Sequence, residues 1–162
     1  MTLDIRPTPP DHPQVLALIA ELDAYLASLY DPQDVYIVDL AGLQEPSVTF
    51  LCAWDGDTLV GCGAARLMPA EPETDGRPYG EIKRMVVSAA RRGERIGEQV
   101  LNALERGLRQ RGIDRALLET GPPQVEAIRL YTRCGYVPRG AYGGYPDNAA
   151  ASVFMEKRWT TA

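Results

Sequence analysis

EIKRMVVSAARRGERIGEQVL, residues 81–101, is the stretch on which the fold turns. It opens on the apolar run of a buried strand, passes through an arginine-bearing loop with Gly93, and ends as an amphipathic helix. A strand handed to a helix in this way leaves backbone N–H groups unpaired at the helix start, beside clustered cations. That suits a phosphate-bearing ligand. Lys83, Arg84, Arg91, Arg92 and Arg95 crowd the segment although the chain as a whole carries a net charge of -5. Arginines at a helix start oppose the positive end of the helix dipole, at roughly 0.3–1 kcal/mol each. A bound anion reverses that penalty. The alternative is a solvated basic loop paired with surface acids.

Working outward, Ile96, Val100, Leu101, Leu104 and Leu108 share one face of a helix predicted over 94–111, and Gly112 closes it. A strand follows at 113–120, then the break Gly121-Pro122-Pro123, then a helix over 124–134 stopped by Gly135. Segments 136–142 and 151–158 read as a last pair of strands. Upstream, 3–8 is a strand, and Asp11 caps a helix with Val15, Leu18, Ile19, Leu22, Tyr25, Leu26 and Leu29 on one face. Residues 31–47 are a loop with one helical turn near 39–43. Strands 47–54 and 58–67 flank Asp55-Gly56 as a hairpin. The aperiodic stretch 68–80 reads as a mobile loop. Strand-to-helix units late in the chain after an early hairpin predict a mixed α/β sheet.

With 162 residues, a single domain over 1–162 is expected. No apolar run reaches 18 residues, and the N-terminus lacks an apolar signal core, so no membrane span or secretion signal is expected. Cys52, Cys62 and Cys134 are odd in number and unsuitably spaced for a metal, and read as free thiols in a reducing cytoplasm. His12 is the only histidine, which argues against a metal site. The acidic balance argues against nucleic acid as a partner. The loop RRGERIG is neither a P-loop, lacking GK[ST], nor a dinucleotide fingerprint, lacking G-x-G-x-x-G.

EIKRMVV with RRGERIG, then ALLETG, then QVEAIRLYTRCGY, resembles the GNAT superfamily of acyl-CoA-dependent N-acetyltransferases, in its small bacterial branch. The resemblance runs over residues 48–158. It implies a mixed, mostly antiparallel sheet of six to seven strands flanked by helices, with splayed central strands. It implies acetyl-CoA as cosubstrate, and no metal. The pyrophosphate would lie on Arg92, Gly93, Glu94, Arg95, Ile96 and Gly97. The family pattern there is R/Q-x-x-G-x-G/A, and Arg95 replaces its first glycine. Met85, Val86 and Val87 would hold the pantetheine arm through backbone groups, with Gln124 and Ala127 on the next helix.

The same resemblance implies that Tyr131 protonates the departing thiolate. A phenol near pKa 10 and a thiol near 8.5 permit this. On helix spacing alone Tyr131 is a core tyrosine beside Ile128 and Cys134. Glu81 is the implied general base, its alternative an ion pair with Lys83 or Arg84. Glu119 is a second base candidate. Arg84 would receive a substrate carboxylate, or else form a surface pair. Tyr142 and Tyr145 would line the acceptor pocket. The implied activity is transfer of an acetyl group to a primary amine of a small molecule by direct attack. A protein or peptide amine, or a non-catalytic acyl-CoA-binding module, are the alternatives. The resemblance leaves a homodimer open.

Overall fold

The computed structural model describes residues 2–148 and 150–160. Seven strands form one sheet in the order β1-β2-β3-β4-β5-β7-β6. They are β1 (Asp4–Pro7), β2 (Val48–Asp55), β3 (Thr58–Met68), β4 (Tyr79–Val87), β5 (Arg115–Thr120), β6 (Val137–Arg139) and β7 (Val153–Arg158). Every neighbouring pair is antiparallel except β4 and β5. The helices are α1 (Pro13–Leu29), α2 (Leu40–Leu43), α3 (Ile96–Gln110) and α4 (Val125–Arg133). The implied fold class is therefore the one observed.

Two apolar layers sandwich the sheet. On one side Val15 and Leu18 of α1 and Leu43 of α2 pack with Phe50, Cys52, Trp54 and Cys62. On the other, Ile96, Val100, Leu101, Leu104 and Leu108 of α3 pack with Val60, Ala65, Ile82 and Leu118. Helix α3 sits unusually close to its strands. A side-chain carbon on Gly63 would lie 2.3 Å from the Met85 sulfur and 3.0 Å from Val100, so only glycine leaves α3 and Met85 room there.

Two features of the sheet shape the site. The first is that β4 and β5 pair only at Gly80–Ala116 and Glu81–Leu117. Beyond Glu81, β4 continues to Val87 beside β3, while β5 diverges and leaves one edge of β4 unpaired. The second is a bulge. Cys62 pairs with Val86 but Ala64 with Lys83, so β4 carries an extra residue, and Arg84 takes φ 56°. A bulge re-aims the side chains beyond it.

Three local expectations change. His12, not Asp11, caps α1: its Nδ1 accepts from the Gln14 N–H at 3.1 Å. The stretch before β4 is pinned rather than free. Glu71 and Thr74 form a reciprocal capping box, the Tyr79 hydroxyl donates to Glu71 at 3.1 Å, and Arg115 reaches the Thr74 carbonyl at 3.3 Å. Helix α3 starts at Ile96 rather than Glu94, because Arg95 adopts φ 60°. That left-handed conformation is disfavoured for any residue with a side-chain carbon by roughly 1–2 kcal/mol. Arg95 thus holds a glycine's backbone with an arginine's side chain. Its exposed pair with Glu98 offsets little of this. Arg95→Gly is expected to raise the unfolding free energy by about 0.5–1 kcal/mol in urea titrations. Unchanged or lower stability would contradict the strain.

Candidate active site

The divergence of β4 from β5 opens a cleft of about 510 Å³ between β4, the loop before α3, and α4. Met85, Val86 and Val87 form its strand wall. Arg92, Gly93, Arg95, Ile96 and Gly97 form its loop wall, and Gln124 and Ala127 its helical wall. Glu94 is the exception among the expected cofactor contacts. Its carboxylate turns to Arg91, at 2.8 and 3.2 Å, and it does not line the cleft.

The loop is built as an anion cradle. The N–H groups of residues 92–98 find no protein acceptor among the described residues, and the first turn of α3 cannot satisfy its own donors. Gly93 has φ 84° with nothing within 4 Å of where a side-chain carbon would stand, so the loop's outer face is open. At Gly97 the same carbon would meet Leu130 of α4 at 3.0 Å. Arg92, Arg95, Arg129 and Arg133 add cations to the walls. Backbone donors, a helix N-terminus and arginines together fit a diphosphate.

A second, smaller cavity of about 90 Å³ lies between α1, the segment before α2, β4 and the end of β5. Glu119, Lys83, Arg84 and Tyr36 are in its wall. Leu22, Met85, Gln124 and Tyr131 belong to both walls, so the two spaces meet at Tyr131. Tyr30 closes one side, packed so tightly on Gly121 that a side-chain carbon there would fall 1.8 Å from its hydroxyl. Gln124 holds that hydroxyl by donating to it at 3.1 Å.

Tyr131 is 7% exposed. Its ring packs against Tyr136 at 5.8 Å, as the core reading expects. Its hydroxyl, however, has no hydrogen-bond partner among the described residues, whereas that of Tyr136 donates to Glu105 at 3.0 Å. Burial pushes the Tyr131 phenol well above its ordinary pKa, with Cys134 adding to the shift. It therefore keeps its proton at neutral pH.

The two carboxylates differ sharply. Glu81 is 1% exposed. It accepts from the Tyr142 hydroxyl at 2.7 Å, the Tyr145 hydroxyl at 2.8 Å and the Arg66 guanidinium at 2.9 Å, and it lines neither cavity. Glu119 accepts from the Ser152 hydroxyl at 2.8 Å and faces the small cavity. Burial raises its pKa to about 7, against the lowering effects of Ser152 and Lys83.

Arg84 lines the small cavity, but its guanidinium is committed to Asp23 and, at 2.8 Å, to the Val38 carbonyl. Tyr142 stands outside both cavities in an aromatic cluster with Tyr79, Tyr145 and Phe154. Lys83 is the residue that the sequence reading passed over. It is 8% exposed, lines the small cavity, and donates to the Tyr36 carbonyl at 3.3 Å and to the Tyr145 hydroxyl.

The acetyltransferase (GNAT) family profile matches residues 15–136. An IAA acetyltransferase of Azospirillum brasilense is 42% identical over 144 residues, 88% of this chain and 89% of its own. YsnE of Bacillus subtilis, an uncharacterized N-acetyltransferase, is 35% identical over 150 residues, 90% and 92% of the two chains. A solved chain from Klebsiella pneumoniae, with a provisional assignment as an acyl-CoA N-acyltransferase, superposes with TM-score 0.78 at 38% identity, covering 97% of each chain. The chain belongs to the acetyltransferase (GNAT) family. It is an acyltransferase of the N-acetyltransferase class, in a family that uses acetyl-CoA. Among the described residues no helix is long and apolar enough to cross a membrane.

Proposed function

We propose that this enzyme transfers an acetyl group from acetyl-CoA to a primary amine of a small molecule, the amine entering through the 90 Å³ cavity. One observation carries the reading. A cleft shaped for a phosphorylated donor and a small polar cavity holding a carboxylate bonded only to the Ser152 hydroxyl share one wall residue with an unpartnered hydroxyl, Tyr131. The narrowness of that cavity favours a small acceptor over a folded protein surface.

The loop 92–97 and the start of α3 would hold the diphosphate, and the unpaired edge of β4 the pantetheine arm. Bound there, acetyl-CoA supplies a thioester carbon open to attack by an amine. Glu119 takes a proton from the amine nitrogen, as a base poised near neutrality does best. Tyr131 gives its proton to the departing sulfur. Burial makes this phenol less acidic, but a thiolate leaving into the same apolar wall is desolvated too, so the two proton affinities rise together. Glu81 is assigned a positioning role. It anchors Tyr142 and Tyr145 and takes no part in proton transfer.

Thiol release from acetyl-CoA against a panel of small amines tests the reading. Release with at least one small amine is expected. Tight CoA binding without thiol release for any amine would instead indicate a sensor. The loop is tested separately. Gly93→Asp and Gly93→Asn place similar side chains on the same φ 84° backbone, so their difference isolates charge. The Asp variant is expected to bind acetyl-CoA at least about tenfold more weakly than the Asn variant by calorimetry. Equal affinities would remove the diphosphate from this loop.

A further inference from the structure

We propose that the acceptor is a small amino-acid-like zwitterion, its ammonium held by Glu119 and its carboxylate by Lys83 across the small cavity; this rests on that cavity being the acceptor site. The case begins with which charges are already matched. Of the cavity's two cations, Arg84 is neutralised by Asp23 and hydrogen-bonded to Val38. Of the two carboxylates nearby, the buried Glu81 and the half-buried Glu119, Glu81 is saturated by two phenols and Arg66. Lys83 and Glu119 remain, with the half-buried Asp34 in the same wall.

Neither is fully satisfied. An ammonium has three N–H donors. Lys83 uses one on the Tyr36 carbonyl and one on the Tyr145 hydroxyl. The Glu81 carboxylate stands 3.9 Å away, beyond hydrogen-bond reach, so one donor has no acceptor among the described residues. Glu119 has only the Ser152 hydroxyl. The two opposite charges are close enough for each to shift the other's proton affinity, yet they make no ion pair within 4.0 Å among the described residues. A gap therefore separates one cation from one anion inside a space of about 90 Å³.

A ligand that fills the gap with an amine alone desolvates the Lys83 ammonium further and leaves it only the 3.9 Å ion pair with Glu81, a carboxylate already shared among two phenols and Arg66, which is unfavourable. A zwitterion matches both ends. Burial already pulls the Lys83 pKa below its ordinary value, and an arriving carboxylate would restore it. Size points the same way. A cavity of about 150 Å³ holds benzene, so this one takes a body smaller than that ring, such as the amine, α-carbon and carboxylate of a simple amino acid.

The test pairs acceptors that differ only in the carboxylate: glycine with glycinamide, alanine with alaninamide, serine with serinamide. In thiol release from acetyl-CoA, kcat/KM is expected to favour the acid of the preferred pair by about 100-fold. Lys83→Met is expected to collapse that ratio toward one. Amides used as well as acids by the unaltered enzyme would overturn the proposal, whatever the variant does. So would a preference that survives in Lys83→Met. Turnover with carboxylate-free amines only would sink this inference and leave the acetyl-transfer reading standing. No turnover with any acceptor, despite CoA binding, would remove both.

Discussion

Replacing Glu119 by glutamine is expected to lower kcat/KM for the acceptor by about 10²–10³-fold while acetyl-CoA affinity stays within about twofold. The unaltered enzyme should show kcat/KM rising through a pKa near 7, the value to which burial lifts this carboxyl, and then levelling. In the variant that limb should vanish, because glutamine cannot hold or release the proton. Stability should move the opposite way. The folded-state pKa lies above the ordinary 4.5, so between these two values the folded chain binds more protons than the unfolded one. Folding stability contributed by this group is therefore full below about pH 4.5 and falls as pH rises toward 7. Glu119→Gln abolishes that loss, and its Tm should exceed that of the unaltered protein at pH 8 but not at pH 5. A gain in stability with a loss of function is what a strained functional group predicts. Parallel Tm curves with an unchanged pH–rate profile would show that Glu119 is a bystander.

The choice of Glu119 over Glu81 shows where the sequence stops being legible. Both glutamates sit in strand-like runs, EIKRMVV and ALLET, and both flank the predicted opening. What separates them is the identity of their neighbours across the sheet and in the loop before β7. Tyr142 and Tyr145 lie more than sixty positions from Glu81, and no local pattern predicts that their hydroxyls converge on it. Glu119, by contrast, meets only Ser152. Long-range pairing of this kind is set by register, and register is fixed by the whole sheet.

Other features were written locally. The 3.6-residue spacing of Ile96, Val100, Leu104 and Leu108 committed α3 to the sheet, and the structure buries all four. Asp55-Gly56 gave the β2–β3 turn, with Gly56 at φ 59°. The start of α3 was misplaced by two residues because helix propensity sees Glu94 and Arg95 as good helix formers. It does not see a left-handed residue imposed by loop closure. The β4 bulge was equally hidden. Nothing in KRMVV announces that Arg84 takes φ 56°, yet the bulge at this residue sets the register in which Lys83 faces the small cavity and Val86 and Val87 the larger cleft.

Tyr131→Phe should reduce kcat by about 10²-fold with acetyl-CoA affinity and thermal stability nearly unchanged. The structure makes this an unusually clean deletion. The hydroxyl has no protein partner among the described residues, so removing it orphans no buried donor or acceptor, and the ring still packs on Tyr136. The hydroxyl sits in the walls of the two cavities and is not among the buried unsatisfied polar atoms, so its removal costs no buried hydrogen bond and the variant's Tm should equal that of the unaltered protein. A core tyrosine would give the same stability result but no kinetic effect, which makes kcat the deciding readout. The proton's destination can be checked through the leaving group. A thiol of low pKa departs without assistance, so an acetyl thioester of an aryl thiol should largely rescue Tyr131→Phe while leaving the Glu119→Gln defect in place. Equal rescue of both variants, or of neither, would mean that Tyr131 acts on something other than the departing sulfur. An unchanged kcat with acetyl-CoA would return Tyr131 to the core.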